Sequence, residues 1–227
     1  MKKKFETPHV VSYTDRVPIL SYILTALGAY LLGSIPFGFL VAKAKGIDIR
    51  NVGSGNIGAT NAMRVLGKPA GIAVLLLDAA KGFAAAKWLP LLILHFVSHP
   101  IGSFENLPIY AGIFAVLGHN YTCWLKFKGG KGIATTAGVY LALAPTAVGV
   151  AFIVFVLMVA ATRFVSLGSI AAAIALPIAV YWTCDNECLG MVTLSLGALA
   201  IYKHKSNIQR LLAGTENRLG KKVEATK

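Results

Sequence analysis

Apolar runs too long to be covered by polar surface dominate this chain. Residues 18–42, 69–89, 107–125, 167–182 and 188–202 are overwhelmingly hydrophobic, and a further 30 mostly apolar residues fill 133–162. A hydrocarbon core is crossed by about 20 apolar helical residues. Lipid offers the backbone no hydrogen-bond partner, so segments of this kind cross as helices. With 56% of the 227 residues hydrophobic and 14% charged, a soluble domain would lack the polar residues to cover these runs. The expected fold is therefore all-α, a multi-pass membrane helical bundle.

The run 133–162 reads either as one long helix or as two short ones broken at Ala144-Pro145, and the basic residues decide between them. With two crossings, the Lys and Arg of 43–68, 126–131 and 203–227, together with Arg163, fall on one side, and the opposite loops hold only Glu105, Asp185 and Glu187. A single crossing divides the basic residues across the membrane, against the positive-inside rule. Seven transmembrane helices follow, with the N-terminus outside and the C-terminus cytoplasmic. Residues 18–203 then form the membrane domain, between an N-terminal extension at 1–17 with no assignable role and a cytoplasmic tail at 204–227. Lys2, Lys3, Lys4 and Arg16 fall outside in this arrangement, in tension with the rule. The basic start does not read as a cleavable signal, because Glu6, Pro8, Asp15 and Arg16 precede the first apolar run.

The formal charge of +13 suits orientation in a membrane and anionic ligands, and no nucleic-acid module is visible. Of the three cysteines only Cys184 and Cys188, in CDNEC, are spaced closely enough to pair. No Cys/His cluster has the spacing of a zinc site, so no metal is expected.

Four polar stretches interrupt the runs. NVGSGNIGATN at 51–61 contains the spacing G-x-G-x-x-G, and Asp78 lies 20 residues after Gly58, about where a dinucleotide site holds its ribose carboxylate. That fingerprint requires a βαβ unit. Asp78 lies instead in the apolar run VLLLDAAKGFAAA, with Lys81 three residues on as its partner, so the dinucleotide reading is discounted. What remains is physical: Gly53, Gly55 and Gly58 let the backbone turn and aim N–H groups at an anion. Ser54, Asn56, Thr60 and Asn61 add neutral donors, and Arg64 adds a planar fork for phosphate oxygens. The plain alternative is a glycine-rich surface turn with Arg64 marking the inner side.

The second stretch is GHNY at 118–121 followed by KGGKGIATT at 128–136. It is not a Walker A loop, because Ile133 stands where that motif needs Ser or Thr. Lys131, flanked by Gly130 and Gly132 and opening a helix, is nonetheless a natural anion site; contact with anionic lipid is the alternative. In RFVSLGS at 163–169, Ser166 reads as a helix cap, and either serine can point into a site. In HKSNIQRLLAGTEN at 204–217, His204 and Asn207 share a helical face. All four stretches fall on the expected cytoplasmic side, where a bundle can gather them around one pocket, with Asp78 and Lys81 either lining it or structural.

Together with GSIPFG at 33–38, these stretches resemble, in the same order, the bacterial membrane acyl-phosphate:glycerol-3-phosphate acyltransferases of the PlsY type, over about residues 29–217. The resemblance implies a seven-helix inner-membrane enzyme of phospholipid biosynthesis whose active site faces the cytoplasm. It would move a fatty acyl group from acyl phosphate to the 1-hydroxyl of sn-glycerol 3-phosphate, giving lysophosphatidic acid and phosphate. Ser54, Arg64, Lys131, Ser169, His204 and Asn207 carry over as functional positions. On this reading Ser54, Gly55, Asn56, Arg64, Gly130, Lys131 and Ser169 hold the substrate phosphates, and Ser54, Lys131, His204 and Asn207 are the catalytic set. An acyl phosphate is a mixed anhydride with a good leaving group, so positioning and charge stabilisation suffice, and no acyl-enzyme, cofactor or metal is called for. Either His204 or a substrate phosphate oxygen takes the hydroxyl proton. The expected partners are the two small substrates and the bilayer, with a monomer as the working unit and no nucleic acid.

The rival reading is an anion transporter, since Asp78, Lys81 and Lys87 are intramembrane charges. Transporters build their sites near the midplane from repeated halves, whereas here the glycine-rich stretches gather at one interface and no halves match.

Overall fold

The computed structural model describes residues 19–97 and 106–220. The N-terminal extension at 1–17 and the outer-loop Glu105 lie outside the described residues. Within them the chain is all helical: α1 Ile19–Ser34, α2 Phe37–Lys43, α3 Ala59–Leu66, α4 Lys68–Lys87, α5 Leu89–Val97, α6 Leu107–Asn120, α7 Ile133–Leu143, α8 Pro145–Thr162, α9 Val165–Thr183, α10 Glu187–Lys203 and α11 Lys205–Leu212. Four segments are long and apolar enough to cross a membrane by length and composition: Ile19–Lys43, Lys68–Val97, Pro145–Thr162 and Val165–Thr183.

The first run is not one helix. Pro36, which has no N–H to give, parts α1 from α2. The second run extends further than its polar end at Lys87 suggests, because the leucine-rich α5 follows α4 after a single residue, Trp88. The run 133–162 divides where the sequence places the break: Ala144 takes φ −150°, ψ 69°, and Pro145 opens α8 at a position that needs no N–H. The short α7 is sheltered, with Gly138, Val139 and Tyr140 buried. By contrast α8 bares Phe152, Ile153 and Leu157, as a lipid-facing helix does.

Small residues let the helices approach closely, which is how helices associate where hydrocarbon supplies no hydrophobic drive. A methyl group on Gly33 would overlap the Ala115 carbonyl, and one on Gly118 would overlap that of Tyr30, so α1 and α6 meet backbone to backbone. Gly82 against Thr135 and Gly138 against Ala79 do the same for α4 and α7. Between these pairs lies a buried polar cluster: Lys81 Nζ is 2.8 Å from Asp78 Oδ1 and donates to the Ile35 carbonyl at 2.7 Å, bracing the break before Pro36. Cys184 and Cys188 stand as free thiols.

Candidate active site

The loop before α3 is wrapped around one side chain. Asn61 Nδ2 donates to the carbonyls of Val52 at 3.0 Å and Asn56 at 2.9 Å, and its Oδ1 accepts from Ser54 N–H at 2.8 Å. Gly53 and Gly55, at φ +66° and +70°, supply the left-handed turns this requires. The wrapping engages the amides of Ser54, Gly55 and Gly58. Gly58 N–H donates to Asn56 Oδ1 at 2.8 Å, and Gly55 N–H to the Val52 carbonyl at 3.1 Å. The expectation that the N–H groups of Gly55 and Gly58 face an anion therefore gives way. The loop presents side chains, and Ser54, Asn56 and Arg64 line a cavity of about 150 Å³.

Three helix starts line this cavity. Ala59 and Thr60 at the head of α3, Gly132, Ile133 and Ala134 at the head of α7, and Val165 and Ser166 at the head of α9 all line it. The first four N–H groups of a helix lack intrahelical acceptors, and each N-terminus carries a partial positive charge. Three such ends turned on one space form an anion site before any side chain is counted.

Lys131 reaches this space from the strap before α7. Gly130 was expected to offer its N–H to phosphate, but that amide donates to the His119 carbonyl at 3.0 Å. A methyl on Gly130 would overlap the His119 ring, so the glycine is required for packing. Lys131 Nζ donates to Asn207 Oδ1. Asn207 Nδ2 donates to Glu216 Oε1 at 2.9 Å, and Arg210 Nε to Glu216 Oε2 at 2.8 Å. This chain fixes Lys131 by its neighbours. Burial, then the Arg210 charge, pulls its ammonium down to about 8, with Glu216 opposing. Arg64 is also lowered by burial, against the pull of Glu216.

His204 ends α10 and is 3% exposed. Its Nδ1 lies 2.7 Å from the Ala200 carbonyl; a carbonyl only accepts, so Nδ1 carries the proton and Nε2 is left as an acceptor. Burial, then the charge of Lys131, lowers its pKa to about 4, so the ring is neutral near pH 7. The two serines of the third stretch exchange their expected places. Ser166 does not cap α9, whose N-cap is Phe164; its hydroxyl is buried without a hydrogen-bond partner among the described residues. Ser169 Oγ donates to the Val165 carbonyl at 2.9 Å, so its proton is already engaged.

Ser54, Asn56, Arg64, Lys131, Ser169, His204 and Asn207 are thus brought to one cavity, while Gly55 and Gly130 support it from behind. Sequence reasoning passed over Glu216, which stands in the fourth stretch and organises Asn207 and Arg210, and left Asp78 open, which lines the cavity with His119. Leu75 and Phe155 give the cavity an apolar flank, and Leu75 is 45% exposed on the outer surface. Chemically, the space suits a phosphorylated molecule with an aliphatic tail.

A family model described as glycerol-3-phosphate acyltransferase matches residues 23–214. A glycerol-3-phosphate acyltransferase of Trichlorobacter lovleyi is 48% identical over 191 residues, 84% of this chain and 94% of its own length. That of Geobacter sulfurreducens is 48% identical over 196 residues, 86% and 96%. Among solved structures, PlsY (YgiH), an integral membrane glycerol 3-phosphate acyltransferase, in its glycerol 3-phosphate form matches with a TM-score of 0.79 at 42% identity, over 88% of this chain and 96% of that one. Its lysophosphatidic acid form matches with a TM-score of 0.77 at 40% identity and the same coverage.

Proposed function

The chain belongs to the glycerol-3-phosphate acyltransferase family and is a multi-pass membrane protein; on that premise we propose that it transfers a fatty acyl group from acyl phosphate to the 1-hydroxyl of sn-glycerol 3-phosphate. The observation that carries this reading is the meeting of three helix N-termini with Arg64 and Lys131 on a cavity whose other flank is apolar. Two phosphorylated substrates, one with a long tail, need such a place.

Arg64 and Lys131 hold the two phosphates, with the helix starts and the hydroxyls of Ser54 and Ser166 as further donors. The acyl chain leaves past Leu75 and Phe155 toward the bilayer. The 1-oxygen of glycerol 3-phosphate attacks the acyl carbonyl carbon: the new ester C–O bond forms, the C–O bond to the donor phosphate breaks, and the bonding pair leaves with phosphate. His204 Nε2 or a substrate phosphate oxygen takes the hydroxyl proton, and Asn207 and Lys131 fix the geometry. Free His204 is a weak base at a pKa of about 4; two bound phosphates raise it toward the working range. The leaving group is good enough for direct attack, so Lys131 need only steady the departing charge.

The same reading gives seven crossings with the shorter α6, α7 and α10 included, membrane and tail portions at 18–203 and 204–227, and an extension at 1–17. It puts the protein in the bacterial inner membrane as a monomer with the cavity on the cytoplasmic side. The test is purified protein in lipid with labelled glycerol 3-phosphate and, separately, acyl phosphate, acyl-CoA or acyl-carrier protein. Lysophosphatidic acid from acyl phosphate alone supports the reading; product from a thioester alone sinks the donor assignment.

A further inference from the structure

Between α6 and α7 the chain makes a turn that the proposed reaction does not use. In WLKFK at 124–128 only Leu125 is buried, 7% exposed, in the apolar cluster of Ile49, Ile57 and Val74. Trp124 and Phe127 are each 63% exposed, and Lys126 and Lys128 are exposed beside them. The turn is nonetheless firmly built. Lys126 and Phe127 take φ +53° and +59° in succession, a backbone that bulky L residues rarely adopt unless their surroundings hold it. Phe127 N–H donates to the Thr122 carbonyl at 2.9 Å, Lys128 N–H to that of Leu125 at 3.1 Å and Gly129 N–H to that of Asn120 at 3.2 Å. Thr122 is itself tied to α1, its buried hydroxyl donating to the Ser34 carbonyl at 2.6 Å.

Two large aromatics held out in this way are costly in water, whereas the interface of a bilayer favours Trp and takes up Phe. The end of α2 packs in the same cluster as Leu125, and α2 bares Leu40 at 46%, so lipid-facing surface adjoins the turn. The lysines select the kind of lipid. Neither stands in an ion pair among the described residues, and Asp48, next to Ile49 of the same cluster, is held by Arg50 at 2.6 Å. Two ammonium groups beside an apolar wedge match a head group of net negative charge, while a zwitterionic head brings its own cation to meet them. We propose that residues 124–128 form a site for anionic phospholipid, with Trp124 and Phe127 seated at head-group depth and Lys126 and Lys128 holding the head-group phosphate. A soluble acidic protein would match the lysines but would have to displace lipid from the aromatics. None of these five residues lines the substrate cavity. The site rests on the membrane-spanning fold alone, so failure of the proposed reaction would leave it standing.

The experiment uses the full chain with Trp88→Phe and Trp182→Phe, both at exposed positions, so that Trp124 is the one tryptophan left of three. This protein is reconstituted into vesicles of phosphatidylcholine with a minority of phosphatidylglycerol. In one sample the phosphatidylglycerol carries bromine near the head-group end of its chains. In the other an equal amount of phosphatidylcholine carries it, so the membranes differ only in which lipid quenches. Trp124 fluorescence should be quenched in both, and about three- to tenfold more strongly by the anionic label, through the local enrichment that two lysines supply. In Lys126→Gln with Lys128→Gln the ratio falls to within about twofold of unity, and in Lys126→Arg with Lys128→Arg it is kept. Equal quenching by the two labels in the parent protein, or a preference that survives the double Gln change, would overturn the site. So would a Trp124 that neither label quenches and aqueous iodide does, which is the result a soluble partner requires.

Discussion

Raising the pH should switch off capture of glycerol 3-phosphate through Lys131. With its ammonium lowered to about 8, the free protein carries that charge in roughly nine molecules of ten at pH 7 and roughly one of ten at pH 9. Phosphate dianions bind the charged form, so bound substrate raises the pKa of Lys131 in return. The sign follows: kcat/KM, which reports the free protein, falls about tenfold from pH 7 to pH 9, and the same limb in kcat lies at higher pH. In Lys131→Arg the guanidinium stays charged throughout, so the limb disappears even though the changed shape lowers the plateau. The assay is initial-rate formation of labelled lysophosphatidic acid across this range, corrected for spontaneous hydrolysis of the donor. A wild-type profile flat from pH 7 to 9, or an unchanged limb in Lys131→Arg, would refute the reasoning.

Four further substitutions probe the remaining walls. Ser166→Ala should raise KM by about tenfold or more, through loss of a hydroxyl free to meet a charged ligand, while Ser169→Ala, whose hydroxyl is bonded to Val165, changes KM by less than about threefold; steady-state kinetics of the two side by side decides. Glu216→Gln weakens the hold on both Asn207 and Arg210, and should lower kcat/KM about 10- to 100-fold with the helical circular dichroism unchanged. Gly130→Ala forces a methyl into the buried His119 ring and should cost about 1–3 kcal/mol of stability, read as a lower melting temperature in lipid; an unaltered melting temperature would show that the ring can move.

The helical, membrane-spanning character was legible because run length and basic residues are additive quantities that need no tertiary knowledge. The break at Ala144-Pro145 came from the same source. The parting of α1 from α2 did not, because membrane helices often carry proline unbroken, and hydropathy records apolar length without backbone direction. At the site, Arg64 and Lys131 were legible from side-chain chemistry, whereas His204 and Asn207, beyond sharing a helical face, came only with the family resemblance. The glycines were not legible: Gly55 and Gly130 supply tight turns and close packing, and their N–H groups go to the carbonyls of Val52 and His119, which loop geometry and not residue type decides. Which of Ser166 and Ser169 keeps a free hydroxyl depends on where α9 begins: Ser169 has a helical carbonyl, Val165, four residues back, and Ser166 has none. Glu216 escaped notice because an acid looks misplaced beside phosphates until Asn207 and Arg210 are seen to hold both its oxygens.

Direct transfer between two substrates in one cavity is tested most plainly by phosphate release. Protein in lipid is mixed with acyl phosphate, first without and then with glycerol 3-phosphate, and inorganic phosphate and lysophosphatidic acid are followed from the first turnover. The account predicts no enzyme-dependent phosphate until the acceptor is added, then one phosphate for each lysophosphatidic acid. A burst of phosphate matching the protein in amount before any acceptor is present would mean an acyl-enzyme, and would contradict it.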